Sequence, residues 1–74
     1  MDLAMRRQRL THAENQVLVG EREVAKQRKQ VEAKARLGQD TTRLRRLLAH
    51  FEEVQEMHVA DRDRLREDLA KIDH

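Results

Sequence analysis

The chain of 74 residues contains no cysteine, proline, serine, tryptophan or tyrosine, and its only aromatic is Phe51. Without cysteine there is neither a disulfide framework nor a thiolate metal site, the two usual staples of folds this small. The absence of serine and cysteine also removes the commonest nucleophiles, and the only hydroxyls are Thr11, Thr41 and Thr42. No apolar run exceeds three residues, as at Val17–Val19, so neither a membrane span nor a signal-peptide core is present. Sixteen basic against fourteen acidic residues leave a net charge of +2, too balanced to point to a polyanion. A soluble, cytoplasmic protein is the expectation.

What is present is helical in character. Ala, Glu, Lys, Leu and Arg account for 41 of the 74 residues, a composition typical of long helices and coiled coils. With no proline, only two glycines offer punctuation, Gly20 and Gly38. Gly38 follows Leu37 where a helix C-cap calls for a residue that tolerates positive φ. Asp40, Thr41 and Thr42 come next, and their side-chain oxygens can cap the free N–H groups of a new helix. The spacing therefore predicts one domain over 1–74: helix 1 over about 2–37, a turn at 38–40, and helix 2 over about 41–72. Equal arms about a short turn make an all-α, antiparallel two-helix hairpin of coiled-coil type.

Helix 1 carries a seven-residue row of Leu3, Leu10, Val17, Val24 and Val31, alternating with Arg6, Ala13, Gly20, Gln27 and Lys34. Helix 2 offers Leu44, Leu48, Phe51, Val54, Leu65 and Leu69, with a break around His58, Asp61 and Arg62. Folding at the turn pairs residues whose numbers sum to about 79. Leu10, Val17, Val24 and Val31 then face the helix 2 stripe as the assembly seam, with Phe51 expected in its buried centre. Gly20 falls opposite His58 in this register, and Glu21 lies within reach of the same ring, so Gly20, Glu21 and His58 are the candidate polar positions of the seam.

Two helices cannot enclose a core between them, and ordering about seventy residues costs on the order of 100 kcal/mol of conformational entropy. The off-seam residues Leu18, Val19, Leu47, Met57 and Val59 suggest a second contact face. Dimerisation of two hairpins into a four-helix bundle is the simplest way to cover it, and trimers of hairpins or an unidentified protein partner satisfy the same arithmetic.

The stretch Glu21–Leu69 resembles a set of short alphaproteobacterial proteins with no assigned activity. The resemblance rests on Gly38, Asp40 and Thr41 at the turn, on Leu47, Leu48, Ala49, Phe51 and Glu52, on His58, Val59 and Ala60, and on Asp63, Arg64 and Leu65. It implies a bacterial helical hairpin and adds no function.

Sites of chemistry are few. A bundle di-metal centre needs Glu-x-x-His pairs, and none occurs here; His50 and Glu53 share a helix face without further acidic support, and His12 and His74 have no context. Neither a metal nor a cofactor is expected, and no catalytic set is legible. The first ten residues are basic and amphipathic but lack the Trp or Phe that membrane docking favours. Residues 1–38 hold nine basic and five acidic side chains, a net of +4, and residues 39–74 hold seven and nine, a net of −2. Packing the two arms side by side therefore sets opposite charges together. The alternative use of the basic arm is weak nucleic-acid binding through Arg6, Arg7, Arg9, Lys26, Arg28 and Lys29, disfavoured because no aromatics are available for base stacking. The expectation from sequence is a non-enzymatic interaction module that self-associates.

Overall fold

The structure, a computed structural model, describes residues 2–72. They form two helices, α1 over Leu3–Arg36 and α2 over Thr42–Ile72, folded side by side into a rod 56 Å long and 16 by 14 Å across. His74 lies outside the described residues. Asp2 is the N-cap of α1: its carboxylate accepts from the Ala4 N–H at 3.0 Å, and its carbonyl accepts the bond from Arg6.

The turn is built from bonds that end one helix and begin the next. Gly38 has φ of +71°, and its N–H donates to the Ala35 carbonyl while that of Gln39 donates to Lys34, each at 3.0 Å. This pair of bonds is a Schellman motif, which closes the last turn of α1 and reverses the chain. Ahead of α2, Asp40 Oδ1 accepts from both the backbone N–H and the hydroxyl of Thr42, at 3.0 and 2.7 Å. Those two bonds hold the Asp40 carboxyl below its ordinary value by favouring the charged form. Thr41 supplies the carbonyl for the Arg45 N–H, and its hydroxyl accepts from the Arg45 guanidinium at 2.9 Å. Gly38, Asp40 and Thr41 thus make the turn by three separate bonding roles.

Interhelical ion pairs fix the register. Glu14 meets Arg66 at 3.0 Å and Arg28 meets Glu52 at 3.4 Å, so both pairs of numbers sum to 80. The residues of α1 that face inward alternate three and four apart: Leu3, Arg6, Leu10, Ala13, Val17, Gly20, Val24, Gln27 and Val31. Those of α2 do the same: Leu44, Leu48, Phe51, Gln55, His58, Arg62, Leu65 and Leu69. This is heptad packing on both arms. Helix 2 has no break in spacing; its apolar stripe is interrupted only because Gln55, His58 and Arg62 occupy inward positions.

Among the described residues only Ala13, Val17, Val24, Val31 and Leu69 are buried apolar residues, and the one buried polar side chain is Gln27. Leu10, Leu44, Leu48, Val54 and Leu65 are half-buried, and so is Phe51, which therefore does not occupy a closed core. Two helices shield only the strip between them, and the outer half of a large ring stays in water.

Gly20 serves α1 in a different way from Gly38. The α2 residue against it is Gln55, whose amide Nε2 donates to the Val17 carbonyl at 2.9 Å. A Cβ at Gly20 would stand 1.7 Å from Gln55 Oε1, so the glycine is what lets this side chain reach the backbone of α1. The expected pairing of Gly20 with the His58 ring is corrected accordingly: His58 lines the same groove, half-buried, but the space over Gly20 belongs to Gln55. Glu21 is exposed and forms no hydrogen bond with His58, because it projects beside the seam rather than into it.

Candidate functional site

The hairpin has two flanks of different character. On one, the side chains bordering the seam form the ion pairs Glu14–Arg66 and Arg28–Glu52, which span from α1 to α2. Leu18 and Val59 occupy this charged side, Leu18 exposed and Val59 half-buried. The opposite flank is aliphatic over part of its α2 side, whereas Gln16 and Glu23 line it from α1. Val19 lines its central groove with Phe51, Val54 and His58. Leu47 and Met57 extend the same flank by helical periodicity, one seven residues before Val54 and the other three after it. Val19, Leu47 and Met57 are exposed at 57, 42 and 67%, although each is a large apolar side chain. The off-seam residues expected to form one second face therefore divide: Val19, Leu47 and Met57 lie on the aliphatic flank, and Leu18 and Val59 lie on the other.

The aliphatic flank is uneven along its length. Val54, Phe51 and Leu47 occupy the half nearer the turn, and Val19 and Met57 stand at the midpoints of α1 and α2. Toward the open end the flank becomes a mixed groove of about 460 Å³, lined by Met5, Arg9 and His12 from α1 and by Asp61, Arg64 and Leu65 from α2. Arg64 is ion-paired to Asp61 one helical turn away, so its charge is already answered within α2. Arg9 and Asp68 border the adjoining groove beside Leu65 and Leu69.

The basic residues of α1 do not form one face. Arg6 points into the seam and is half-buried. Arg28 borders the charged flank, where it is paired to Glu52. Arg9 borders the opposite flank, Lys29 points outward and Lys26 lies beyond the aliphatic edge. Arg7, one position after Arg6, sits on the charged flank. A surface that grips phosphates needs its cations on a common side. The heptad phase distributes these six around the helix, which corrects the expectation of a single basic face.

Other chemistry is sparse. No three of His, Cys, Asp and Glu come together as a metal site among the described residues. His12 and His50 are exposed, and the His50 ring lies 6.4 Å from that of its neighbour Phe51. No helix among the described residues is long and apolar enough to cross a membrane.

Gln55 is the residue that sequence reasoning missed, whereas Gln27 stands buried at the seam position that the seven-residue repeat assigns it. Each places its Oε1 in the seam without a protein hydrogen-bond partner. The signal for Gln55 was present in the step of four from Phe51, together with a glycine on the facing arm. No family model, no curated protein and no solved structure matches the chain.

Proposed function

We propose that this chain is a non-enzymatic, cytoplasmic protein-interaction module that works as a homodimer, two hairpins pairing as a four-helix bundle. The observation that carries this reading is the amount of surface left uncovered. A compact protein of 8.8 kDa exposes about 4,800 Å², whereas this hairpin exposes 6053 Å². The excess of about 1,300 Å² exceeds the roughly 800 Å² that each partner of a standard-sized interface buries. Three of the exposed large apolar side chains, Val19, Leu47 and Met57, share one flank. Seam residues such as Val17, Val24, Val31 and Leu69 are committed to packing within the chain, so association falls to the flank beside them.

Light scattering coupled to size-exclusion chromatography tests the reading. A mass near twice 8.8 kDa at micromolar concentration supports it, and a mass of 8.8 kDa that persists to millimolar concentration rejects it.

A further inference from the structure

The rod is polarised along its length as well as between its helices. Residues 26–46 form the end that carries the turn, and they hold eight basic and two acidic side chains, a net of +6. The remaining residues hold eight and twelve, a net of −4. We infer that the turn end docks on the phosphate backbone of duplex DNA, end-on and without reading base sequence. This goes beyond the homodimer reading above and does not rest on it.

Arg28, Arg62, Arg64 and Arg66 each pair with a carboxylate of the chain itself. At the turn end, Lys34, Arg36, Arg43, Arg45 and Arg46 are all exposed, and none of them has a carboxylate partner among the described residues. Arg45 donates instead to the Thr41 hydroxyl, which leaves its charge unanswered. The placement of these cations also works against the fold. The first turn of α2 has no acidic residue, and Arg43, Arg45 and Arg46 stand at the end of the helix whose dipole disfavours cations. A charge pattern that lowers the stability of the free chain is expected where a partner supplies the opposite charge.

Around the rod axis these five cations point to several sides, but along it they share one height. All lie within six residues of Asp40, about 9 Å of helical rise. An end-on contact therefore gathers cations that a side-on contact would scatter. The end measures 16 by 14 Å, about 220 Å², too little for a protein partner, which needs roughly 800 Å² a side. Phosphate contacts need no such area, because they draw on the release of counterions. A second copy offers little here, since its Glu14, Glu52, Asp61 and Asp63 carboxylates are already paired. The apex consists of Leu37, Gly38, Gln39 and Asp40, all exposed, with the cations set behind it. A flat bilayer would meet the Asp40 carboxylate first, and the apex has no Trp or Phe to enter it. The major groove of DNA, about 12 Å wide and about 8.5 Å deep, receives the apex while its phosphate ridges reach cations set back by a similar depth.

Fluorescence anisotropy of a labelled DNA duplex, titrated with the full chain over a salt series, tests the inference. With five phosphates engaged, the logarithm of the binding constant should fall with that of salt at a slope of about −4.5. A slope shallower than about −2, or no binding at about 25 mM salt, would overturn it. Joint replacement Arg43→Gln and Arg46→Gln should weaken binding more than about tenfold at about 50 mM salt and reduce the slope by about 2. Joint replacement Arg22→Gln and Lys71→Gln removes the same net charge away from the turn and should leave binding unchanged. All four positions are exposed, so the fold is preserved in both variants. Equal loss in the two variants would reduce the effect to general charge attraction and overturn the inference. Sedimentation of the chain with phosphatidylserine vesicles, without binding to the duplex, would assign the end to a bilayer and overturn it as well.

Discussion

Replacing Gly20 by alanine sets two effects against each other, and Gln55 decides between them. In a helix interior alanine is favoured over glycine by about 1 kcal/mol. The new Cβ, however, would meet Gln55 Oε1 at 1.7 Å and Cδ at 2.6 Å, so the Gln55 side chain has to leave. With it goes the 2.9 Å bond from Nε2 to the Val17 carbonyl, worth about 1 kcal/mol. Gly20→Ala alone should therefore be near neutral. In a Gln55→Ala background nothing collides, and the same substitution should stabilise by about 1 kcal/mol. Urea denaturation of the four proteins at one fixed concentration measures the difference, a coupling of about 1 kcal/mol between the two sites. Equal stabilisation in both backgrounds, with a coupling under about 0.3 kcal/mol, would refute the claim that Gly20 exists to admit Gln55.

Gln27 is 8% exposed with an unpartnered Oε1, so Gln27→Leu should raise stability by about 1–2 kcal/mol in chemical denaturation; a loss would mean that the amide is satisfied. Gly38→Ala should cost about 1 kcal/mol through backbone strain alone, since φ is +71° and no atom lies within 4 Å of the added Cβ; an unchanged midpoint would contradict this. The lowered Asp40 carboxyl contributes stability that is complete above its ordinary value of 3.8 and is lost as pH falls through the lower folded value. The difference between the stability profiles of wild type and Asp40→Asn should therefore change only in that acid window, and a flat difference curve would remove the carboxylate from the turn's energetics.

The turn was the most legible part of the chain because its chemistry is local. Positive φ at Gly38 and the capping oxygens of Asp40 and Thr41 involve residues next to one another in sequence. The Val17–Val24–Val31 row was legible for a similar reason, since aliphatics repeating every seven residues mark the packed seam of a helix. The α2 side of the seam was harder. Gln55, His58 and Arg62 face inward by spacing while their chemistry suggests solvent, and only the contact with Gly20 shows what the glutamine does there. The second face was read from composition without phase. Leu18 and Val19 are neighbours in sequence, yet about 100° of helical rotation puts them on opposite flanks. Phe51 was expected to be buried from its place in the apolar stripe of the seam, but burial depends on how many helices surround a position, and one hairpin supplies two.

The claim that one chain is not the whole folded unit is tested most directly by the concentration dependence of thermal unfolding. For a folded dimer that unfolds to single chains, a hundredfold increase in concentration adds about 2.7 kcal/mol to stability. With an unfolding entropy of about 2.1 cal/mol/K per residue over two chains, Tm should rise by roughly 9 °C between about 2 and about 200 μM. A Tm independent of concentration across that range would show that the hairpin folds alone and would contradict the homodimer.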